Sequence, residues 1–410
     1  MIGTLLSAAF ALFIAFYPMH MEANIPWTIV MVCMVILAAL FLAVHAGLQV
    51  FAWAPLVKAG RSITPRVADL FHHDPGLRWA SWYLTLFPLA TFLIILVIAL
   101  FSNINKIDLL AIWILLLGIA VDVLHYSLKR ILKFFNPFNI LGMLTQTAKS
   151  DVQEDRDMDL HDCIDAISEV ATKGIETSST ALPNDALNEL QIITRNFLQS
   201  AKSIAHWKLK DEQPGNEDKV TYALFFLFQR IELINDKAIE KRLEPVCSTV
   251  VTTLGKIAIH AAKFDVSLAS YPIHVLGRCA LKAQQNNLPD VGVKGNIALL
   301  EVAKAIMTET DVTYQEIKEP FAVLINDMHE ISKEIFRQNK ETDIEELRKP
   351  YRLLKEYFTT EKMASHPDTP NILAQLNQVI AEFDALELVL KTIPPLTTEE
   401  PKEKPPETQK

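Results

Sequence analysis

Glycine is scarce in this 410-residue chain, with only 12 residues, and cysteine is scarcer still, with four. So few glycines leave little material for the glycine-rich loops that cradle nucleotide phosphates. Four scattered cysteines argue against a disulfide framework. Neither an HExxH nor a CxxC sequence occurs, and no pattern pairs a nucleophile with a base. The sequence therefore predicts no enzyme, no metal and no cofactor, and it is more informative about architecture than about chemistry.

Negative charge prevails overall, but the two parts of the chain differ in sign. The chain has 39 Lys and Arg against 48 Asp and Glu, a net charge of −9 at pH 7. Residues 1–150 hold nine of the basic and five of the acidic residues, so they carry +4 and the other 260 residues carry −13. An acidic polar part argues against nucleic-acid binding, because phosphates would repel it. The pattern predicts a membrane domain followed by a soluble domain.

Four long stretches of the first part are nearly free of charge. They are Met1–Met21, Pro26–Trp53, Trp79–Phe101 and Leu109–Leu128, the last broken only by Asp122. A membrane-spanning helix needs about 20 apolar residues. We therefore predict a four-helix transmembrane domain over residues 1–128, with the lipid bilayer as its surroundings. Pro18 shortens the first helix, which we interpret as an uncleaved anchor rather than a signal peptide.

Basic residues stand in alternate connections between these stretches. Those after the second and fourth stretches are Lys58, Arg61, Arg66, Arg78, Lys129, Arg130 and Lys133, whereas the first connection has none and the third has only Lys106. Basic loops mark the cytoplasmic side of a membrane. Both termini and the soluble domain are therefore expected in the cytoplasm, most simply at a bacterial inner membrane. Residues 129–158 are expected to form a juxtamembrane interfacial segment.

Polar side chains within the predicted spans are the first candidates for function. Asp122 and His125 lie three residues apart and share a helix face, and His45 and Gln49 lie four apart on the second helix. Counted from the cytoplasmic helix ends, His45 and Asp122 have similar depths. The spacing predicts an intramembrane polar cluster of these four residues. It would act as a proton or ion relay or, the favoured interpretation, hold helices together near the interface.

Helical periodicity runs through the second part, and no stretch alternates like an exposed strand. Prolines divide residues 159–392 into eight or nine helices, while residues 393–410 are predicted to form a disordered tail. Leu254–Ala258, Leu276–Ala280 and, more loosely, Leu299–Ala303 resemble one another at intervals of 22 and 23 residues. The predicted fold class is therefore all-α throughout, and the cytoplasmic domain is either an irregular solenoid-like stack or a compact bundle.

Two apolar patterns in the second part each allow two interpretations. A heptad seam is formed by Ile372, Leu376, Val379, Phe383, Leu386 and Leu390. It predicts either self-association of two chains as a coiled coil or packing on the preceding helices. The run Tyr222–Phe228 has no polar face, so it is either a central buried helix, the favoured interpretation, or a contact surface for a partner or the membrane.

The function expected from these features is that of a membrane-anchored helical scaffold that binds protein partners on the cytoplasmic side. The expectation rests on the acidic, repeat-like helices and on the missing catalytic motifs. The alternative is a subunit of an oligomeric channel or transporter, whose soluble domain assembles or gates it. In that alternative Asp122, His45 and His125 would line the path.

Overall fold

In the computed structural model, residues 2–16, 26–101, 105–153, 157–208, 216–312 and 315–392 are described. Every regular element in these ranges is helical, which confirms the predicted all-α class. The predicted tail, 393–410, lies outside the described residues, as does most of the connection between the first two apolar stretches. The chain divides into two compact units, Met1–Val246 and Cys247–Lys410.

The first unit contains nine described helices. They are α1 Ile2–Phe16, α2 Trp27–Ser62, α3 Val67–His73, α4 Pro75–Leu100, α5 Lys106–Lys133, α6 Pro137–Gln153, α7 Asp157–Glu176, α8 Ala181–Lys208 and α9 Asn216–Glu240. The sequence sets the start of α4, because Asp74 accepts a hydrogen bond from the N–H of Leu77 at 2.8 Å. Pro75 then occupies the first helical position, where its missing N–H costs no hydrogen bond.

Three of these helices, α2, α4 and α5, are long and apolar enough to cross a membrane. Their shared interior buries small and large apolar side chains, among them Ala80, Leu84 and Ala120. Their outer faces expose large apolar side chains such as Leu89 and Phe92. A continuous apolar exterior of this kind is unusual for a protein surrounded by water and is typical of helices that face lipid.

The α1 helix is shorter than the prediction of four spans requires. Its 15 residues extend about 22 Å at 1.5 Å per residue, whereas a bilayer core is about 30 Å thick. The helix lies antiparallel to α5, because Gly3 lies beside both Gly118 and Asp122 while Ser7 lies beside Gly118. Helix length thus supports three candidate spans and not clearly four.

The second unit begins within α10 and consists of helices in the part of the chain that the structure describes. They are α10 Glu244–Phe264, α11 Ser270–Gln285, α12 Pro289–Glu309, α13 Lys318–Gln338, α14 Ile344–Phe358, the single turn α15 Glu361–Ala364 and α16 Thr369–Thr392. The described α-helices from α7 to α16 number ten, whereas the sequence predicted eight or nine for residues 159–392. The additional helix is α15, a single turn that is too short for periodicity to reveal.

The three similar sequence segments lie within α10, α11 and α12 and are buried in the same pattern. Their first, fourth and fifth residues are buried, and their third residues, Lys256, Arg278 and Glu301, are exposed. Small residues allow the helices to approach closely, since a methyl group on Gly295 would stand 2.5 Å from Cβ of Ala280. The repeat therefore reflects successive helices that turn equivalent faces inward.

The boundary between the units lies at residues 246 and 247, within the predicted cytoplasmic domain 159–392. Residues 1–128, residues 129–158 and helices α7 to α9 belong to one compact unit. The physical reason is that α6 packs on both α7 and α8, with further polar contacts between the α2–α4 connection and α7. Packing between helices leaves no mark on helical periodicity.

Candidate functional site

Asp122 is held by the N-terminus of α1. Its carboxylate accepts hydrogen bonds from the backbone N–H groups of Gly3 at 3.1 Å and Thr4 at 2.9 Å, and from the Thr4 hydroxyl. The first N–H groups of a helix have no partner within the helix, and a negative charge there also favours the helix dipole. Asp122 on α5 therefore caps α1 from outside that helix.

His45 and Gln49 lie against a different helix. Nε2 of His45 is 3.3 Å from Oγ of Ser81 on α4, and Gln49 borders the same pocket as His45. His125 is exposed. The structure thus divides the predicted polar cluster, since Asp122 binds α1 while His45 faces α4. Similar depths of His45 and Asp122 along their helices do not determine which faces of α2 and α5 meet.

The α2–α4 connection binds α7 through two polar contacts, which we call the junction. The buried Thr64 donates a hydrogen bond from Oγ1 to Oε2 of Glu169 at 2.7 Å, and Arg66 forms an ion pair with Asp162. The chain between them and α4 forms the short helix α3. The junction joins the candidate membrane helices to the polar helices that follow them.

Asp74 and Arg130 fasten the start of α4 to the end of α5. Nε of Arg130 lies 3.0 Å from each carboxylate oxygen of Asp74, and one of its terminal nitrogens lies 2.8 Å from Oδ2. The Asp74 side chain is only 6% exposed, whereas that of Arg130 is 33% exposed. A bidentate arginine–carboxylate pair of this kind fixes orientation as well as distance.

Arg230 ties α9 to α7 beside the junction. Its guanidinium lies 2.9 Å from Oδ1 of Asp165 and 5.0 Å from the ring centroid of Phe226. The His161 ring stacks on Phe226 with centroids 4.8 Å apart. Aromatic and carboxylate contacts of one guanidinium are typical of an arginine that stabilises an interface between helices.

Three pockets lie around this part of the first unit. Two open ones, of about 540 and 650 Å³, border the junction and the Asp74–Arg130 pair. Acidic and basic side chains line both, so neither selects a ligand of one charge. The third, of about 160 Å³, is bordered by His45, Gln49, His72, Arg78, Ser81 and Ser127 among others, and no carboxylate lines it.

The second unit contains a buried polar chain that links three helices. Nδ2 of Asn296 on α12 donates to Oγ of Ser332 on α13 at 3.0 Å, and Oη of Tyr351 on α14 lies 3.1 Å from the same Oγ. Burial raises the pKa of the Tyr351 phenol. The chain is enclosed within the core, so we assign it a structural role.

Asp327 on α13 lies beside α11, where Gly277 leaves room for its carboxyl group. Oδ2 of Asp327 is 3.3 Å from Nδ1 of His274. Burial raises the pKa of Asp327 to about 6, and the nearby His274 and Arg278 oppose that shift. Asp327 is therefore a carboxyl group that titrates well above the range of an ordinary aspartate.

Replacing Asp327 with asparagine is expected to stabilise the protein near pH 7 by about 2 kcal/mol. A carboxyl whose pKa is raised on folding contributes stability below about pH 4 that is lost as the pH rises through about 6. The substitution should therefore flatten the pH dependence of thermal unfolding between pH 4 and 7. The matched control is Glu356→Gln at an exposed carboxylate. Equal pH profiles for wild type and Asp327→Asn would contradict the assignment.

The heptad seam of α16 packs within its own chain. Ile372, Leu376, Val379 and Phe383 are all buried, Leu386 is half-buried, and the Leu390 side chain lies outside the described residues. The ring of Phe383 lies 5.7 Å from that of Tyr351 and 5.6 Å from that of His329, between centroids. Coiled-coil self-association is therefore not the use of this seam, because α13 and α14 already cover it.

Arg348 strengthens the contact between α14 and α16. Its buried guanidinium pairs with Glu345 on its own helix and with Asp384 and Glu387 on α16, the last at 3.1 Å. These hydrogen bonds to carboxylates raise the pKa of Arg348. Some of the acidic residues of the second unit therefore bind a buried arginine. The net charge of the sequence does not reveal these pairs.

The apolar run Tyr222–Phe228 is buried on one face only. Leu224, Leu227 and Phe228 are buried, whereas Tyr222 is 62% exposed and Phe225 is 43% exposed. The prediction of a central helix enclosed on all sides is therefore wrong. The reason is that α9 packs on α7 and α8 with one face, and the sequence does not distinguish that face from the other.

No group of three or more His, Cys, Asp or Glu among the described residues is arranged to hold a metal ion. Three of the four cysteines, Cys163, Cys247 and Cys279, are buried singly in helices. They behave as small apolar residues there.

Comparison with known proteins does not identify a family or a function for this chain. No protein family matches the chain, and no curated protein matches it. A solved "circular tandem repeat protein with novel repeat topology and enhanced subunit contact surfaces" aligns with 88% of this chain and 98% of its own, at 12% identity and a TM-score of 0.28. A score that low supports no inference about fold or function, so the conclusions below rest on the contacts within this chain.

Proposed function

We propose that the protein is a multi-pass membrane anchor that holds a helical platform at the cytoplasmic face, where the platform binds protein partners. The junction is the observation that carries the proposal. Thr64 and Arg66, which directly follow α2, contact Glu169 and Asp162 on α7. Because of these contacts, α7 is held directly against the connection between the candidate membrane helices α2 and α4, rather than tethered to it by a flexible linker.

The arrangement of α1 supports four spans with both termini in the cytoplasm. The start of α1 lies beside Asp122, near the end of α5 that precedes Lys129, Arg130 and Lys133. Positive residues of this kind mark the cytoplasmic side. On this proposal the protein resides in a bacterial inner membrane, and α1 crosses most of the bilayer beside α5.

The second unit supplies the surface for partners. Val293 and Ile297 lie one turn apart on α12, and both are about half exposed. Neighbouring apolar side chains exposed on one face of a helix offer a patch that a protein partner can cover. We expect a photo-crosslinking amino acid at position 293 of the full-length protein in its native membrane to form adducts. The same amino acid at position 356, an exposed position on α14, should not.

Transport is the competing function, and ion flux in proteoliposomes separates it from anchoring. Because asparagine keeps an oxygen that can accept hydrogen bonds from the start of α1, we expect Asp122→Asn to leave the protein folded and only slightly less stable. Proteoliposomes with either form should show background flux. Flux by the wild type that changes in folded Asp122→Asn protein would overturn the anchor proposal and favour a channel or transporter subunit.

Topology is tested by labelling single cysteines with a membrane-impermeant maleimide in intact cells. Phe101→Cys, in the connection between α4 and α5, should react from outside. Lys58→Cys and Lys340→Cys should react only after the cells are opened. Reaction of Lys340→Cys in intact cells would contradict the cytoplasmic placement of the platform.

A further inference from the structure

We propose that the pocket of about 160 Å³ between α2, α3, α4 and α5 binds the phosphate group of an anionic phospholipid. The inference rests on the proposed membrane location. We call this site the basic pocket, and its polar lining comprises His45, Gln49, His72, Arg78, Ser81 and Ser127. About 10 to 15 Å³ of such volume accommodates one water molecule, so the pocket has room for a phosphate group with some of its hydration.

The charge of the basic pocket favours an anion. Arg78 supplies a positive charge at its border, and no carboxylate lines it. The nearest carboxylate along the chain, Asp74, is occupied by Arg130. Arg78 itself is exposed and forms no ion pair with the described residues. Its planar guanidinium presents a fork of N–H donors that matches phosphate oxygens.

The basic pocket also contains hydrogen-bonding groups that suit a phosphate. Ser81 and His45 are already within 3.3 Å of each other, so both point into the same space. Gln49 adds an amide donor one turn further along α2, and Ser127 adds a hydroxyl from α5. Three helices therefore contribute hydrogen-bonding side chains to the lining of one pocket.

The surroundings of the basic pocket favour a lipid over a free anion. Trp79 and Trp82 flank Arg78 and Ser81 on α4 and are 59% and 67% exposed, as residues at the headgroup level of a bilayer are. Apolar Leu48, Leu77 and Ile131 complete the lining and suit the glycerol and acyl part of a lipid. Basic pockets between membrane helices on the cytoplasmic side commonly hold anionic headgroups.

The test is native mass spectrometry of the full-length protein in detergent with added phosphatidylglycerol or phosphatidylcholine. We expect the wild type to retain phosphatidylglycerol in preference to phosphatidylcholine. Arg78→Gln should bind phosphatidylglycerol about tenfold more weakly, the loss that follows removal of a charge-assisted contact. His72→Gln should weaken binding to a smaller extent. The matched control is Lys129→Gln, which removes an exposed positive charge near the end of α5.

Three results would overturn the proposal. The first is equal binding of phosphatidylglycerol by Arg78→Gln and Lys129→Gln, which would mean that only the general positive charge matters. The second is equal retention of the two lipids by the wild type. The third is binding of inorganic phosphate that Arg78→Gln abolishes without any lipid binding, which would assign the pocket to a free anion. Failure of the membrane proposal is distinguishable, because the protein would then stay in solution without detergent.

Discussion

Arg130→Ala is expected to destabilise the first unit by about 3 kcal/mol, the lower end of the cost of breaking a buried ion pair. The substitution leaves the Asp74 carboxylate 6% exposed and without the guanidinium that contacts both of its oxygens. A buried charge without its partner is far more costly than the pair was favourable. The lower end of the range applies because the Arg130 side chain is itself one-third exposed.

The measurement for Arg130→Ala is the midpoint of thermal unfolding of the full-length protein in detergent. Lys129→Ala is the matched control, since it removes a neighbouring exposed charge and should change the midpoint little. The double variant Asp74→Asn/Arg130→Leu should recover much of the loss, because asparagine keeps the cap on α4 and no unpaired charge remains. An unchanged midpoint for Arg130→Ala would show that the pair does not stabilise the contact between α4 and α5.

Gly118→Val is expected to separate α1 from α5. A Cβ at Gly118 would lie 2.7 Å from the carbonyl oxygen of Gly3 and would overlap Ser7. Backbone atoms cannot rotate away as a side chain can, so the helices must move apart and the cap that Asp122 provides is lost with the contact. Overpacking costs of about 1 to 3 kcal/mol apply, and we expect the upper end.

Gly47→Val is the control for Gly118→Val, because nothing lies within 4 Å of a Cβ at that position in α2. Both variants place a β-branched residue in an apolar helix, so they share any effect on helix propensity. In thermal unfolding in detergent, Gly118→Val should therefore be less stable than Gly47→Val by more than about 1 kcal/mol. Equal midpoints would mean that α1 does not pack on Gly118 in the folded protein.

Features that depend on one helix at a time could be predicted from the sequence. Length and hydropathy identified α2, α4 and α5, and the repeated segments identified equivalent buried faces in α10, α11 and α12. The heptad spacing identified the apolar seam of α16, and the first four residues of that seam are buried. In each case the information lies within a few helical turns, where the period of 3.6 residues records it.

Features that depend on which helix meets which could not be predicted. The partner of Asp122 is 119 residues away along the chain, and that of Thr64 is 105 residues away. The structure divides the candidate cluster for this reason, since equal depth in two helices does not require a shared face. The basic pocket could not be predicted either. The sequence identified Arg78 as a basic residue and His45 and Gln49 as a polar pair, but not that they border one pocket.

The cap on α1 has a consequence for the order in which the protein is made. Gly3 leaves the ribosome 119 residues before Asp122, an interval on the order of ten seconds at 5 to 20 residues per second. During that time the N–H groups at the start of α1 have no carboxylate from α5 to accept their hydrogen bonds. The helix α1 can therefore reach its final position only after α5 has emerged, which makes completion of the bundle a late event in biogenesis.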